Sequence, residues 1–184
     1  MDKFILFARP WWVNLLILIP IIGYRAFRKG LIISKTQLLA AAAFGVAFGY
    51  VEAAVVVYLR IATGLLPSPL GIYQPALMLN GGVRSLLAIE FFRNVATIVM
   101  IAAVAALSAG KFKERAAIFL WVFGFWDLVY YLGLWLMIKW PASLTTPDVL
   151  FLVPVPWLSQ VWFPYLISGA CLAVVAACSF RSRA

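Results

Sequence analysis

The chain has 184 residues, a formal charge of +9 and no histidine; 66% of its residues are apolar and 11% are charged. Soluble domains run at about half apolar and a quarter charged, so this composition excludes an ordinary soluble domain and a disordered chain alike. Its basic residues sit in short clusters between apolar runs, the pattern of a chain held against anionic headgroups, which argues against nucleic acid as a partner. The class read from the sequence is an all-α, polytopic membrane helix bundle with the lipid bilayer as its partner.

Five apolar runs of roughly 20 residues predict five spanning helices. The first covers Trp11 to Phe27 and contains Pro20. It lacks a small-x-small cleavage site and is followed by Arg25, Arg28 and Lys29, so it reads as a retained helix and not a signal peptide. The second runs from Gln37 to Leu59. Along it Ala41, Gly45, Gly49 and Ala53 form a small-xxx-small ladder, the signature of close backbone approach, predicted here to face the third helix. A Pro-rich connection from Ile61 to Ser85 follows, in which Pro75 is predicted to open a short helix closed by Asn80 or Gly81. The third and fourth spans are Leu86 to Ser108 and Ala116 to Ile138.

Between Lys139 and Gln160 lies a second Pro-rich segment. Thr146 as N-cap, with Pro147 and Asp148 in the first turn, predicts a helix start. The apolar run Val149 to Val153 is stopped by Pro154 and Pro156, too soon to cross a bilayer. The segment is expected to be re-entrant or interfacial, anchored by Trp140 and Trp157. The fifth span, Val161 to Ser179, carries Cys171 and Cys178 two turns apart on one face, read as buried thiols and not as a disulfide. No linker or repeat divides the chain, so residues 1–184 form one domain.

Lys and Arg set the orientation. Arg25, Arg28, Lys29, Lys35, Lys111, Lys113, Arg115, Arg181 and Arg183 share one side, against Lys3, Arg9, Arg60, Arg84 and Lys139 on the other. By the positive-inside rule the N-terminus is outside and the C-terminus cytoplasmic, in a bacterial inner membrane.

The informative residues are those lipid disfavours. Glu52, Glu90, Arg93 and Asp127 fall inside spans, where a charge at mid-bilayer costs roughly 2.5–3.5 kcal/mol even on a lenient scale. Glu90, Arg93, Asn94 and Thr97 follow helical steps and share one face. Arg93 is therefore expected to be the hub of a polar cluster, paired with Glu52 and close to Glu90 and Asp127, with Tyr130 and Tyr131 lining it. With no histidine and two isolated cysteines, no metal-ligand set is present, and no motif calls for a cofactor.

The blocks FGYVEAAVVVYLR, EFFRNVAT and FWDLVYYLGLWLMIKWPASLTTPDVLFLVPVPW, with the RPWWVNLLIL opening, resemble a family of small bacterial integral membrane proteins with no established activity. The resemblance covers most of the chain and implies joint use of Glu52, Glu90, Arg93, Asp127 and Asp148.

The leading functional expectation is a membrane module that binds a ligand, a partner subunit or a second copy of itself through Glu52, Glu90, Arg93, Asp127, Asp148, Tyr130 and Tyr131. One alternative is an enzyme on a lipid-like substrate, with Asp127 or Glu90 as the catalytic acid or base and Arg93 holding an anionic headgroup. Another is a small proton- or cation-coupled transporter.

Overall fold

The computed structural model describes residues 5–62 and 81–181, apart from the side chains of 62, 81–87, 180 and 181. The short helix expected at Pro75 lies outside the described residues. A 3₁₀ segment, Trp11–Ile17, runs into α1 (Leu18–Phe27), followed by α2 (Lys35–Ala62), α3 (Gly81–Ser108) and α4 (Phe112–Ile138). Two antiparallel strands, β1 (Pro147–Phe151) and β2 (Trp157–Gln160), precede α5 (Trp162–Arg181). The architecture is an all-α bundle with one small hairpin inserted.

Four helices are long and apolar enough to cross a bilayer, over Lys35–Ile61, Ala88–Ser108, Phe112–Ile138 and Trp162–Ser179, which makes this a multi-pass membrane protein. The first predicted span is a shorter apolar helix, Trp11–Phe27, and is not uniform. Pro20 stands in the first turn of α1, where a missing N–H is best tolerated, and the tighter 3₁₀ winding comes before it. Seven 3₁₀ residues rise faster than α residues, so the whole element extends about 29 Å.

Helix α4 is the axis of the bundle. The ladder on α2 packs against it and not, as its sequence suggested, against α3. A Cβ on Gly45 would lie 2.8 Å from the Val122 carbonyl oxygen, and one on Gly49 would overlap the Trp126 carbonyl oxygen. Gly133 of α4 answers from the other side, where an added Cβ would sit 2.9 Å from that of Ala53. The correction has a steric cause: α3 presents Glu90, Arg93 and Thr97 towards α2, and paired polar side chains hold two backbones apart. The C-terminal half of α3 packs differently. There Ile101 and Ala105 join Ala117, Ile118 and Val122 of α4 and Val175 of α5 in one buried cluster.

Three helices start earlier than their apolar runs implied, α2 by two residues, α3 by five and α4 by four. In α4 the extra turn is Phe112 to Arg115, whose charged residues looked like loop. Lys, Glu and Arg are good helix formers, and Glu114 gains from the positive end of the helix dipole. At its other end α4 stops at Lys139, which adopts a left-handed conformation (φ 55°) while its N–H returns to the Trp135 carbonyl at 2.9 Å.

The helix expected from Thr146 onward is absent; Pro147–Phe151 is a strand. Only six residues separate Pro147 from Pro154, and an isolated helix that short does not repay its nucleation. Pairing Pro147 with Gln160, Asp148 with Ser159 and Val149 with Leu158 satisfies the backbone instead. The N-terminal segment extends this pairing: Arg9 and Leu158 exchange backbone hydrogen bonds of 2.8 and 2.7 Å, and the Ile5 amide donates to Gln160 Oε1.

Candidate functional site

The hairpin reaches down between the helices. The Leu152 amide donates to Asn94 Oδ1 (3.0 Å), and Asn94 lies six residues inside the apolar stretch of α3, about 9 Å from its start. Irregular backbone at such depth is tolerated where protein covers it and its polar groups are satisfied, as the ladder and Asn94 do here. Around the hairpin the structure arranges the predicted polar residues into three centres.

The first is a clasp between α2 and α3. Arg93 ion-pairs with Glu52 through Nη1 and with Glu90 through Nη2 at 2.6 Å, while its Nε donates to both Glu90 oxygens at 3.0 and 3.1 Å. Thr97 Oγ1 donates to the other Glu52 oxygen at 2.9 Å. Glu52 and Thr97 are buried. One guanidinium is thus shared by two carboxylates, and Glu90, Arg93 and Thr97 on that face of α3 are all engaged.

The second centre fastens the hairpin. The Tyr131 hydroxyl donates to Asp148 Oδ2 at 2.8 Å. Tyr131 is 2% exposed and packs against Trp140 and Tyr165, and the Arg60 guanidinium lies 4.2 Å above the Trp140 ring. Desolvation pushes the Asp148 carboxyl up from its ordinary 3.8 to about 6, against the opposing pull of the Tyr131 hydroxyl, the Arg60 charge and the Val149 amide.

Asp127 forms the third centre, away from the expected hub. Its carboxyl accepts the Ser168 hydroxyl of α5 at 2.7 Å, and among the described residues no cation pairs with it. Gly124, one turn earlier, allows this approach: a Cβ there would lie 2.7 Å from the Leu172 side chain and 3.0 Å from the Ser168 carbonyl oxygen. Arg93 is turned to Glu52 and Glu90 because those acids lie on its own helix and on α2, whereas Asp127 faces α5. Tyr130 is the nearest thing to a shared member. It stacks on Trp126 and feels the charges of Asp148, Arg60, Arg93 and Asp127 together.

Asp127 and Ser168 stand in the wall of a partly enclosed cavity of about 330 Å³ formed by the first helical element, α3, α4, α5 and the hairpin. The rest of the wall is almost wholly apolar, with Ile98, Phe119, Phe163 and Cys171 among its members. Trp126 and Trp157 also line it, and the buried indole Nε1 of each has no hydrogen-bond partner among the described residues.

Sequence reasoning named Asp127 and missed the cavity. It missed Ser168 because a serine in an apolar helix is unremarkable until its partner is known. It also passed over Glu114 in the first turn of α4, which is 4% exposed and has one carboxylate oxygen without a partner among the described residues. Both cysteines are buried thiols, as their spacing suggested, and not a disulfide. Among the described residues no group of three metal-ligating side chains gathers. No protein-family model matches the chain, and the comparisons with curated proteins and with solved structures found no match.

Proposed function

We propose that this protein is a membrane module that binds a small lipophilic ligand inside the bundle, in the cavity walled by Asp127 and Ser168. The observation that carries the reading is the combination in one place of an apolar volume of about 330 Å³ and a buried carboxyl with no counter-charge among the described residues. Ligand sites have this character, an apolar enclosure with a few placed polar groups, and ionisable groups within a membrane mark function more often than packing. Glu52, Glu90 and Arg93 serve this site indirectly by holding α3, whose Ile98 closes one wall, against α2. Asp148, Tyr131 and Arg60 serve it by holding the hairpin in place. The setting we propose is a bacterial cytoplasmic membrane with the N-terminus outside, from the distribution of Lys and Arg; the hairpin and the cavity's polar end then face outward.

Ile98 lines the cavity from a half-buried position, so Ile98→Trp fills the space without removing a polar group from any of the three centres. Purified wild-type protein should carry about one equivalent of a lipophile other than bulk phospholipid, detected by mass spectrometry of its extract, and the Ile98→Trp variant should lack it. Identical extracts from the two proteins would overturn the reading.

A further inference from the structure

Resting on that reading, we infer that the cavity takes a lipophilic amine, whose protonated nitrogen pairs with the Asp127 carboxylate while its alkyl body fills the apolar remainder.

The inference starts from what the Asp127 carboxyl lacks. Oδ2 accepts the Ser168 hydroxyl at 2.7 Å, and among the described residues no other hydrogen bond and no cation reaches the group. Oδ1 is not sealed: unlike Glu114 Oε2, which is closed off without a partner among the described residues, it stays open to a guest. Asp127 as a whole keeps 7% of its surface and Ser168 keeps none, so the acid is the member of the pair that a guest can touch. A carboxylate oxygen only accepts, so the missing partner is a donor, and a charge among apolar helices calls for a counter-charge. A metal ion finds too few ligands, because no group of three ligating side chains gathers among the described residues. An ammonium group on a lipophile supplies charge and donor together.

Position agrees with this chemistry. On α4 the wall is formed by Phe119, Leu120, Phe123 and Asp127, whose helical spacing keeps them on one face, so the acid shares a side with the apolar wall. From Asp127 to Phe119 is eight residues, or about 12 Å along the helix, and Ile19 and Cys171 border the same space from neighbouring helices. An alkyl body of about that length, with its nitrogen at the Asp127 end, fits the division. A ketone or ester would set its lone pairs against those of the carboxylate. A hydrocarbon leaves Oδ1 unanswered, and an alcohol donates one hydrogen bond but leaves the charge uncompensated.

The test uses full-length protein in phosphatidylcholine nanodiscs, with empty nanodiscs as the blank, and tritiated decylamine and tritiated 1-decanol measured separately. The chain's net charge of +9 works against indiscriminate uptake of cations, so saturable amine binding reports a local acid. The expected result is that decylamine saturates and binds about tenfold more tightly than 1-decanol. Asp127→Asn, which removes the charge and keeps an acceptor for Ser168, should bring the two affinities level. Ile98→Trp, which fills the cavity, should abolish saturable binding of both. Should Asp127→Asn fail to fold, the wild-type ratio and the Ile98→Trp control carry the comparison. Equal affinities in the wild type, or tighter binding of 1-decanol, overturn the amine and leave the cavity as a site for neutral lipophiles. An amine preference that survives either substitution overturns the pairing with Asp127 in the cavity, because the amine is then held elsewhere. Absence of saturable binding by both probes overturns the inference and the binding function together.

Discussion

Arg93 and Asp127 are both ionisable side chains inside apolar helices, and their surroundings could hardly differ more. Arg93 is surrounded by partners: two carboxylates neutralise it, and Thr97 completes the coordination of Glu52. Asp127 has one hydroxyl partner and a cavity beside it. A charge in the bilayer interior must be compensated, and the two sites show two ways of doing so. At Arg93 the compensation comes from the chain itself, which spends the polar groups on joining α2 to α3. At Asp127 the chain leaves the compensation unfinished. The first arrangement is expected of a structural clasp and the second of a binding site, a distinction that composition and depth alone do not make.

The sharpest way to break the comparison is Arg93→Ala. It leaves Glu52 and Glu90 buried without a cation and should lower stability by about 3–5 kcal/mol in thermal unfolding of the detergent-solubilised protein. Replacing Arg93, Glu52 and Glu90 together by Leu should recover most of the loss. A melting curve unchanged by Arg93→Ala would remove the clasp from the account.

A second variant strikes the seam that supports both centres. Gly49→Leu forces α2 away from the Trp126 carbonyl and should cost roughly 1–3 kcal/mol, or more if α4 cannot shift. Because α4 carries Asp127, the same variant should also weaken binding in the cavity, whereas the triple Leu variant should leave binding largely intact.

Asp148 provides a pH-dependent handle on the hairpin. Its carboxyl titrates at about 6 in the folded protein against 3.8 when unperturbed, so between those values the native state holds more protons than the unfolded state. Stability should therefore fall as pH rises from about 4 through about 6. Asp148→Asn should flatten that slope and gain on the wild type by roughly 1–3 kcal/mol above the transition, with little difference below it. A wild-type slope of opposite sign would contradict the desolvated environment of Asp148.

The smallest expected effect completes the contrast. Asp127→Asn keeps the hydrogen bond to Ser168 and breaks no ion pair, so unfolding should shift by no more than about 1 kcal/mol. A loss as large as that of Arg93→Ala would make Asp127 a structural residue and erase the distinction between the two centres.

Much of this was legible in the sequence. Of the five apolar runs read as spans, four are helices long and apolar enough to cross, because a bilayer demands about 20 apolar residues and satisfied backbone groups whatever the tertiary context. The cost of charge in lipid singled out Glu52, Glu90, Arg93 and Asp127, and helical spacing put Arg93 beside Glu90 and Thr97. These are local rules, and they hold locally. Partner choice is not local. The ladder at Gly45 and Gly49 announced a close neighbour without saying that it was α4, and Asp127 announced a need that either Arg93 or Ser168 would have met. The segment from Pro147 to Gln160 held signals for a helix start, yet its backbone found better pairing with itself and with Arg9. Above all, a cavity is the space left by five elements packing together, and no single stretch of sequence records a space. Tertiary packing alone decided that Asp127, its Ser168 partner and that space would coincide.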